Sequence, residues 1–386
     1  MTLPPASLRE QLVKSYRSLR WLPTFLSQRL MRRPPARPAH LIIAMADHFE
    51  PAIVPDSPRA FASIDVQRAR LDRWCREYPR ALERWRDDDG RPFRHTYFYP
   101  AEQYDKELID RLADHCHRGW GEVEIHLHHG VDQPDTRANT EAVLSEFRDR
   151  LAGHGCLSLW DGRGGPRYAF VHGNWALANS AGGQYCGVDD EMLVLAKTGC
   201  YADFTLPSAP AVSQTAWINA LYECGLPLAT RAPHRRGASL TAGRRPRVFP
   251  LIMQGPLGLN FERRAGGLHI PRIENSAVTG ANPPSMRRLA LWRRAAIRVH
   301  GRPDWIFIKL HCHGMDPRDE AAMFGAPMRR FLQEVTEQSR QGGDRVHFVT
   351  AREMVNIALA ACSGRSGNPG DYRDFRLRPI TPSRLV

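Results

Sequence analysis

Leu41-Ile42-Ile43-Ala44-Met45-Ala46 runs straight into Asp47-His48-Phe49-Glu50. The first half is short, apolar and uninterrupted, the pattern of a strand buried on both faces. The second half puts acidic and imidazole groups at the strand's end. The same succession recurs along the chain. Glu124-Ile125 leads into His126-Leu127-His128-His129-Gly130-Val131-Asp132, and Phe170-Val171 into His172-Gly173-Asn174-Trp175. Tyr201-Ala202 leads to Asp203, and Ile306-Phe307-Ile308-Lys309-Leu310 runs into His311-Cys312-His313. Strand-like runs cover 41–46, 96–99, 123–127, 168–171, 201–205, 248–253, 305–310 and 347–350. Amphipathic stretches of helical length lie between most of them, at 60–86, 105–117, 140–151, 191–197, 285–299, 320–338 and 351–361. Strands alternating with helices require crossover connections, hence a parallel sheet covered by helices. The predicted fold is α/β, a distorted (β/α) barrel of seven or eight parallel strands with helices outside.

Three regions follow from this pattern. Residues 1–39 form a basic amphipathic segment and linker, with eight basic side chains against one acid, Glu10. Leu8, Leu12, Tyr16 and Leu19 recur there at helical spacing. The segment reads either as a helix docked on the body or as a peripheral contact with an anionic membrane surface. Residues 40–362 form the barrel, with 207–260 and 261–284 partly inserted over one rim. Residues 363–386 read as a loosely held tail. The chain has 386 residues, 42% hydrophobic and 25% charged, a globular balance that excludes a disordered or collagen-like chain. Its net charge of +13 comes with only four lysines among 54 basic residues and no recognised nucleic-acid motif, so no nucleic-acid partner is expected. Eight cysteines without a C-x-x-C pair read as buried free thiols in a reducing compartment, and the expected location is cytoplasmic.

Polar residues at strand ends are where barrels of this kind carry their chemistry. Alternation puts Glu124, His126 and His128 on one face of their strand, and Lys309, His311 and His313 on one face of theirs. Burying this many polar groups near one axis is costly unless a metal, water or substrate satisfies them. The two H-x-H pairs with nearby carboxylates point to a divalent metal, zinc or a similar ion.

The order of these segments resembles the polysaccharide deacetylase superfamily, carbohydrate esterases of the chitooligosaccharide-deacetylase type. Met45-Ala46-Asp47-His48 stands where the family has T-F-D-D, and Thr96-Tyr97-Phe98-Tyr99-Pro100 where it has an F-F-type strand. Glu124-Ile125-His126-Leu127-His128, with Asp132 four residues on, matches its E-I-G-x-H strand with H-x-x-x-H spacing. His172-Gly173-Asn174-Trp175 lies at the R-x-P-Y motif, Lys309-Leu310-His311 at L-x-H, and Phe348-Val349-Thr350-Ala351-Arg352-Glu353 at F-V-T-x-x-E. Carried over by position, the resemblance implies Asp47 as base, His311 as acid, and His48, His128 and Asp132 as metal ligands. His126, His129 and His313 are alternate ligands. His172, Asn174, Trp175 and Asp203 are candidate substrate contacts. The implied activity is metal-dependent removal of an acetyl group from an N-acetylated sugar. The alternatives are a binuclear-metal amidohydrolase or phosphoesterase, a glycoside hydrolase using Asp47 and Asp203, and a catalytically silent glycan-binding barrel.

Overall fold

The computed structural model describes residues 19–57, 59–265 and 268–383. Its strands in chain order are β1 (His40–His48), β2 (His95–Pro100), β3 (Gly121–Leu127), β4 (Ser158–Trp160), β5 (Arg163–His172), β6 (Cys200–Asp203) and β7 (Leu221–Cys224), followed by β8 (Gly237–Ser239), β9 (Leu251–Met253), β10 (Gly258–Ala265), β11 (Leu268–Glu274), β12 (Trp305–Cys312), β13 (Arg345–Val349) and β14 (Leu377–Pro379). The α-helices are α1 (Leu22–Met31), α2 (Ile64–Leu82), α3 (Lys106–His115), α4 (Arg137–Gly153), α5 (Glu191–Thr198), α6 (Met286–Ala295), α7 (Glu320–Phe324), α8 (Ala326–Arg340) and α9 (Ala351–Cys362). All eight expected strand runs and the expected helical stretches are present. The 320–338 stretch is divided at Gly325 into α7 and α8.

The main sheet runs β12-β1-β2-β3-β5-β6-β9-β7-β8. Every pairing from β12 to β9 is parallel, and at the far edge β7 pairs antiparallel with both β9 and β8. β1 divides one edge between two partners. His40–Ala44 pair with β13, and Met45–His48 pair with β2. Eight parallel strands result.

Strand alternation sorts the core into two layers. Leu41, Ile43 and Met45 of β1, with Tyr97, Ile125, Phe170 and Leu310, pack against helix residues such as Trp74, Leu108, Leu144 and Phe331. Ile42, Ala44 and Ala46 join Phe98, Val171, Tyr201 and Phe307 on the opposite face. The sheet is strongly rolled. β12 and β6 stand five places apart, about 24 Å in a flat sheet at ~4.8 Å per strand. Yet Lys309 Nζ on β12 donates to the carbonyl of Phe204, just past β6, at 2.8 Å. The ends meet at Gly255, where a side-chain Cβ would overlap the carbonyl oxygen of Lys309. Ser276–Val278 hydrogen-bonds the other edge of β12 at His311. Among the described residues no strand ladder joins β12 to β6 or β9, so the expected closed barrel is a rolled parallel sheet whose seam is made by side chains and a strap.

The first and last described segments are fastened to this body. Trp21 is buried with Ala209, Ile218 and Leu257, and Gln28 Nε2 of α1 donates to Ile218 O at 2.9 Å. Leu8, Leu12 and Tyr16 lie outside the described residues. No described helix is long and apolar enough to cross a membrane. The closing segment, expected as a loose tail, is pinned by Arg373. Its guanidinium reaches the buried Asp87 at 2.9 Å and Glu353 at 3.1 Å and the half-buried Asp89 at 2.8 Å. β14 then adds to β4. A buried Arg with three carboxylates is ordered because leaving any of them unpaired there costs several kcal/mol, about 3–5 by analogy with broken buried pairs.

Candidate metal centre

Each parallel strand delivers its last residues to the same end of the roll, and alternation decides where each side chain goes. On β1, His48 continues the face of Ala44 and Ala46, while Asp47 continues that of Met45 toward the helices. On β3, His126 and His128 share the face of His48, and on β12 so do His311 and His313. The rings gather accordingly. His48 lies 5.0 Å from His126, 4.8 Å from His313 and 6.1 Å from His311 between centroids, and His126 lies 4.5 Å from His128.

Glu50, two residues past His48 and on the same side, is the carboxylate of this cluster. Its Oε1 lies 3.2 Å from His126 Nε2 and 3.4 Å from His128 Nε2. Two groups of three possible ligands share it: His48, Glu50 and His313, and Glu50, His126 and His128. Glu102, from the turn after β2, accepts from His128 Nδ1 at 2.6 Å. Neither glutamate stood among the sequence candidates. For Glu50 a signal existed, since the two-residue step that aligns His126 with His128 also aligns His48 with Glu50.

Burial and the neighbouring charges set the protonation. His48 is held well below its ordinary pKa by burial and by the adjoining His313, His126 and His311. His311 is lowered likewise by burial and by Lys309, and its Nδ1 has no partner. Burial pushes Glu50 up, but the close approach of His126 and the surrounding imidazoles of His313 and His128 outweigh this and bring it to about 2. Burial lowers His126, joined by the charge of His128, against Glu50. His128 stays above its ordinary value despite burial, because Glu102 and Glu50 flank it.

These groups suit a cation. Val171 O only accepts, so His126 Nδ1, 2.8 Å away, donates to it. The neutral ring must then aim its Nε2 lone pair at the anionic oxygen of Glu50. That contact is unfavourable unless a proton or metal ion lies between. Neutral imidazoles plus one ionised carboxylate form a common ligand set for zinc and related ions. A carboxylate behind a ligating histidine, as Glu102 stands behind His128, is the usual orienting arrangement.

Other sequence candidates fall elsewhere. Asp47 is buried below Trp74, where its Oδ2 pairs with His95 Nδ1 at 2.8 Å and its Oδ1 accepts from Gly314 N at 2.6 Å. It does not open onto the histidines, because it is on the opposite face of β1 from His48. Asp132 is 80% exposed on the rim and pairs with Arg59 at 3.3 Å, so the structure does not bring it to His48 and His128. Asp203 is buried and bonded to Thr205 Oγ1 at 2.7 Å. Burial raises its pKa to about 7, and burial lowers that of Lys309 to about 7. Asn174 is exposed and Trp175 half-buried on the loop after β5. His129 and His172 turn away from this centre and meet each other behind it.

No protein-family model matches the chain, and no curated protein matches it significantly. Among solved structures, it is similar to the crystal structure of a Mycobacterium smegmatis protein provisionally named a polysaccharide deacetylase. The TM-score is 0.41 and the identity 15%, over 87% of this chain and 97% of that one. Likeness at that level fixes neither fold nor chemistry.

Proposed function

We propose that the histidine cluster binds a divalent metal ion, zinc by its ligand chemistry, and that the protein is a hydrolase removing an acetyl group from an N-acetylated sugar. The observation that carries the metal reading is the lone pair of His126 aimed at Glu50. The acetyl-sugar reading rests on the motif order that resembles the polysaccharide deacetylases. His48, His126, His128 and His313, with Glu50, are the ligand candidates. A bound ion there supplies Lewis acidity and lowers the pKa of water to near neutrality. The protein keeps His48 and His126 neutral by burying them and keeps Glu50 ionised. Glu102 fixes the ring of His128. His311, neutral and with a free Nδ1, is the group placed to take a proton and to return it to a departing amine. Asp47 acts at a distance in this scheme, holding the backbone N–H of Gly314 and so the loop that carries His313. Asn174 and Trp175 stand beside Gly173, which packs on His128, and so flank a sugar lying over the centre.

Because two three-ligand groups share Glu50, a two-ion centre bridged by this carboxylate is the second reading. Metal content distinguishes the two. Glu50→Gln should lose one equivalent under the first reading and two under the second. The test of function is acetate release from N-acetylated glycans by the metal-loaded protein. Activity should vanish on chelation, and His311→Ala should keep its metal while losing turnover. Undiminished turnover after chelation, or in His311→Ala, would overturn the scheme.

A further inference from the structure

Behind the first centre lies a second cluster that the proposed hydrolysis does not use. His129 comes from the end of β3, His172 from the end of β5, Cys186 from the loop between β5 and α5, and Glu191 from the first turn of α5. All four are buried, and their ligand atoms lie within 4.8 Å of one another. His129 Nε2 is 3.0 Å from His172 Nε2 and 3.0 Å from Glu191 Oε1. His172 Nε2 is 3.3 Å from the same oxygen, and Cys186 Sγ is 3.7 Å from Glu191 Oε2.

The hydrogens on the two rings are fixed from behind. His129 Nδ1 faces Asp135 Oδ2 at 2.9 Å, and that carboxylate is itself held by Thr140 Oγ1 at 2.8 Å. His172 Nδ1 faces the carbonyl of Gly173. Both partners accept only, so both Nδ1 atoms donate, and the two Nε2 atoms confront each other as lone pairs in the neutral rings. One added proton, on either Nε2, still leaves the other nitrogen's lone pair facing Glu191 Oε1, at 3.0 Å from His129 or 3.3 Å from His172. A divalent cation relieves them together. Two imidazoles, a thiolate and a carboxylate around it also sum to zero net charge, the state burial favours. Histidines whose far nitrogen donates to a carboxylate or a backbone carbonyl are the normal orienting arrangement for metal ligands.

We propose that His129, His172, Cys186 and Glu191 form a closed, four-ligand structural metal site, zinc by its ligand types, separate from the hydrolytic centre. Four protein ligands leave no position for substrate, which is the mark of a structural rather than catalytic zinc. The site has structural work to do. The segment between His172 and Glu191 has little regular structure; Leu177 and Ala178 join the main core, and beyond them its buried apolar residues form a small cluster of Ala176, Cys186 and Val188, with Ala181 against it. Metal binding supplies what so small an apolar cluster cannot. The segment also carries Gly173, on which the ring of His128 rests.

The sulfur makes the proposal separable from the first centre, where no cysteine stands among the grouped ligands. X-ray absorption of the full-length zinc protein should show one sulfur scatterer at about 2.3 Å from zinc. The cobalt-substituted protein should show thiolate-to-metal charge-transfer absorption. Both signatures should persist in Glu50→Gln and disappear in Cys186→Ser, which keeps the first centre's metal. If Cys186→Ser does not fold, the wild-type absorption spectrum and Glu50→Gln still decide. A folded wild-type protein with no sulfur-bound metal, or a sulfur signature lost with Glu50→Gln, overturns the proposal.

Discussion

Gly173→Ala separates geometry from chemistry at the first centre. A Cβ there would stand 2.6 Å from Cγ of the His128 ring and 2.7 Å from the carbonyl oxygen of Leu127. Carbon–carbon contacts settle near 3.5–4.0 Å, so something must yield by about 1 Å. Leu127 is paired with His172 across the sheet and has little freedom. The ring of His128 is therefore what moves. It is held by a 2.6 Å bond to Glu102 and by the approach of its Nε2 to Glu50, and a displacement of that size breaks the first and lengthens the second. Overpacking of this kind costs about 1–3 kcal/mol of stability. Disturbing the orientation of a ligating histidine weakens metal binding by about 10–100-fold, and a 1 Å misplacement at a reacting centre costs about 100-fold in rate. The assays are denaturant unfolding, competitive chelation and acetate release. Gly165→Ala on β5, the strand that leads into Gly173, with nothing within 4 Å, is the control and should be neutral in all three. A Gly173→Ala protein with unchanged metal affinity and turnover would refute the placement of His128 in the centre.

Asp47→Asn should retain the metal of the first centre and lose about 1–3 kcal/mol of stability, because His95 and the Gly314 N–H lose their buried anionic partner. Metal loss at unchanged stability would instead make Asp47 a ligand. Arg373→Ala should cost about 3–5 kcal/mol in denaturant unfolding, since Asp87 and Glu353 stay buried without it. Acid unfolding checks the same cluster. Burial pushes Glu353 upward, but Arg94, Arg373 and Arg352 outweigh it and hold Glu353 well below its ordinary 4.5. A depressed carboxylate adds stability above its unfolded pKa and loses it as pH falls toward the folded value. Stability should thus decline below about pH 4.5, and Arg373→Ala should flatten that decline. An unchanged slope would remove Arg373 from the cluster.

The strands were legible because each is an apolar run long enough to be buried on both faces. β4, β7, β8 and β14 were not, being pieces of three or four residues whose pairing depends on tertiary context, and the β10–β11 pair lies in a Gly- and Arg-rich stretch with no apolar run. The gathering of His48, His126, His128, His311 and His313 follows from alternation at strand ends, and the sequence shows it. Asp47 was misplaced because positional likeness to a motif overrode that same alternation, which puts Asp47 and His48 on opposite faces. Asp132 matched a four-residue spacing, but the chain leaves the strand at Leu127, so spacing no longer predicts direction there. Glu102, Cys186 and Glu191 sit on turns, a loop and a helix start, and only tertiary packing brings them to histidines.

β3 hands His126 and His128 to one side of the sheet and His129 to the other, with no spare residue between the two destinations. Losing or gaining one residue at this tip would exchange the occupants of both compartments at once. A change of side chain there disturbs one compartment only. An inserted or deleted residue should therefore be tolerated in the connection beyond Gly130 but not at the tip, which should accept only replacement.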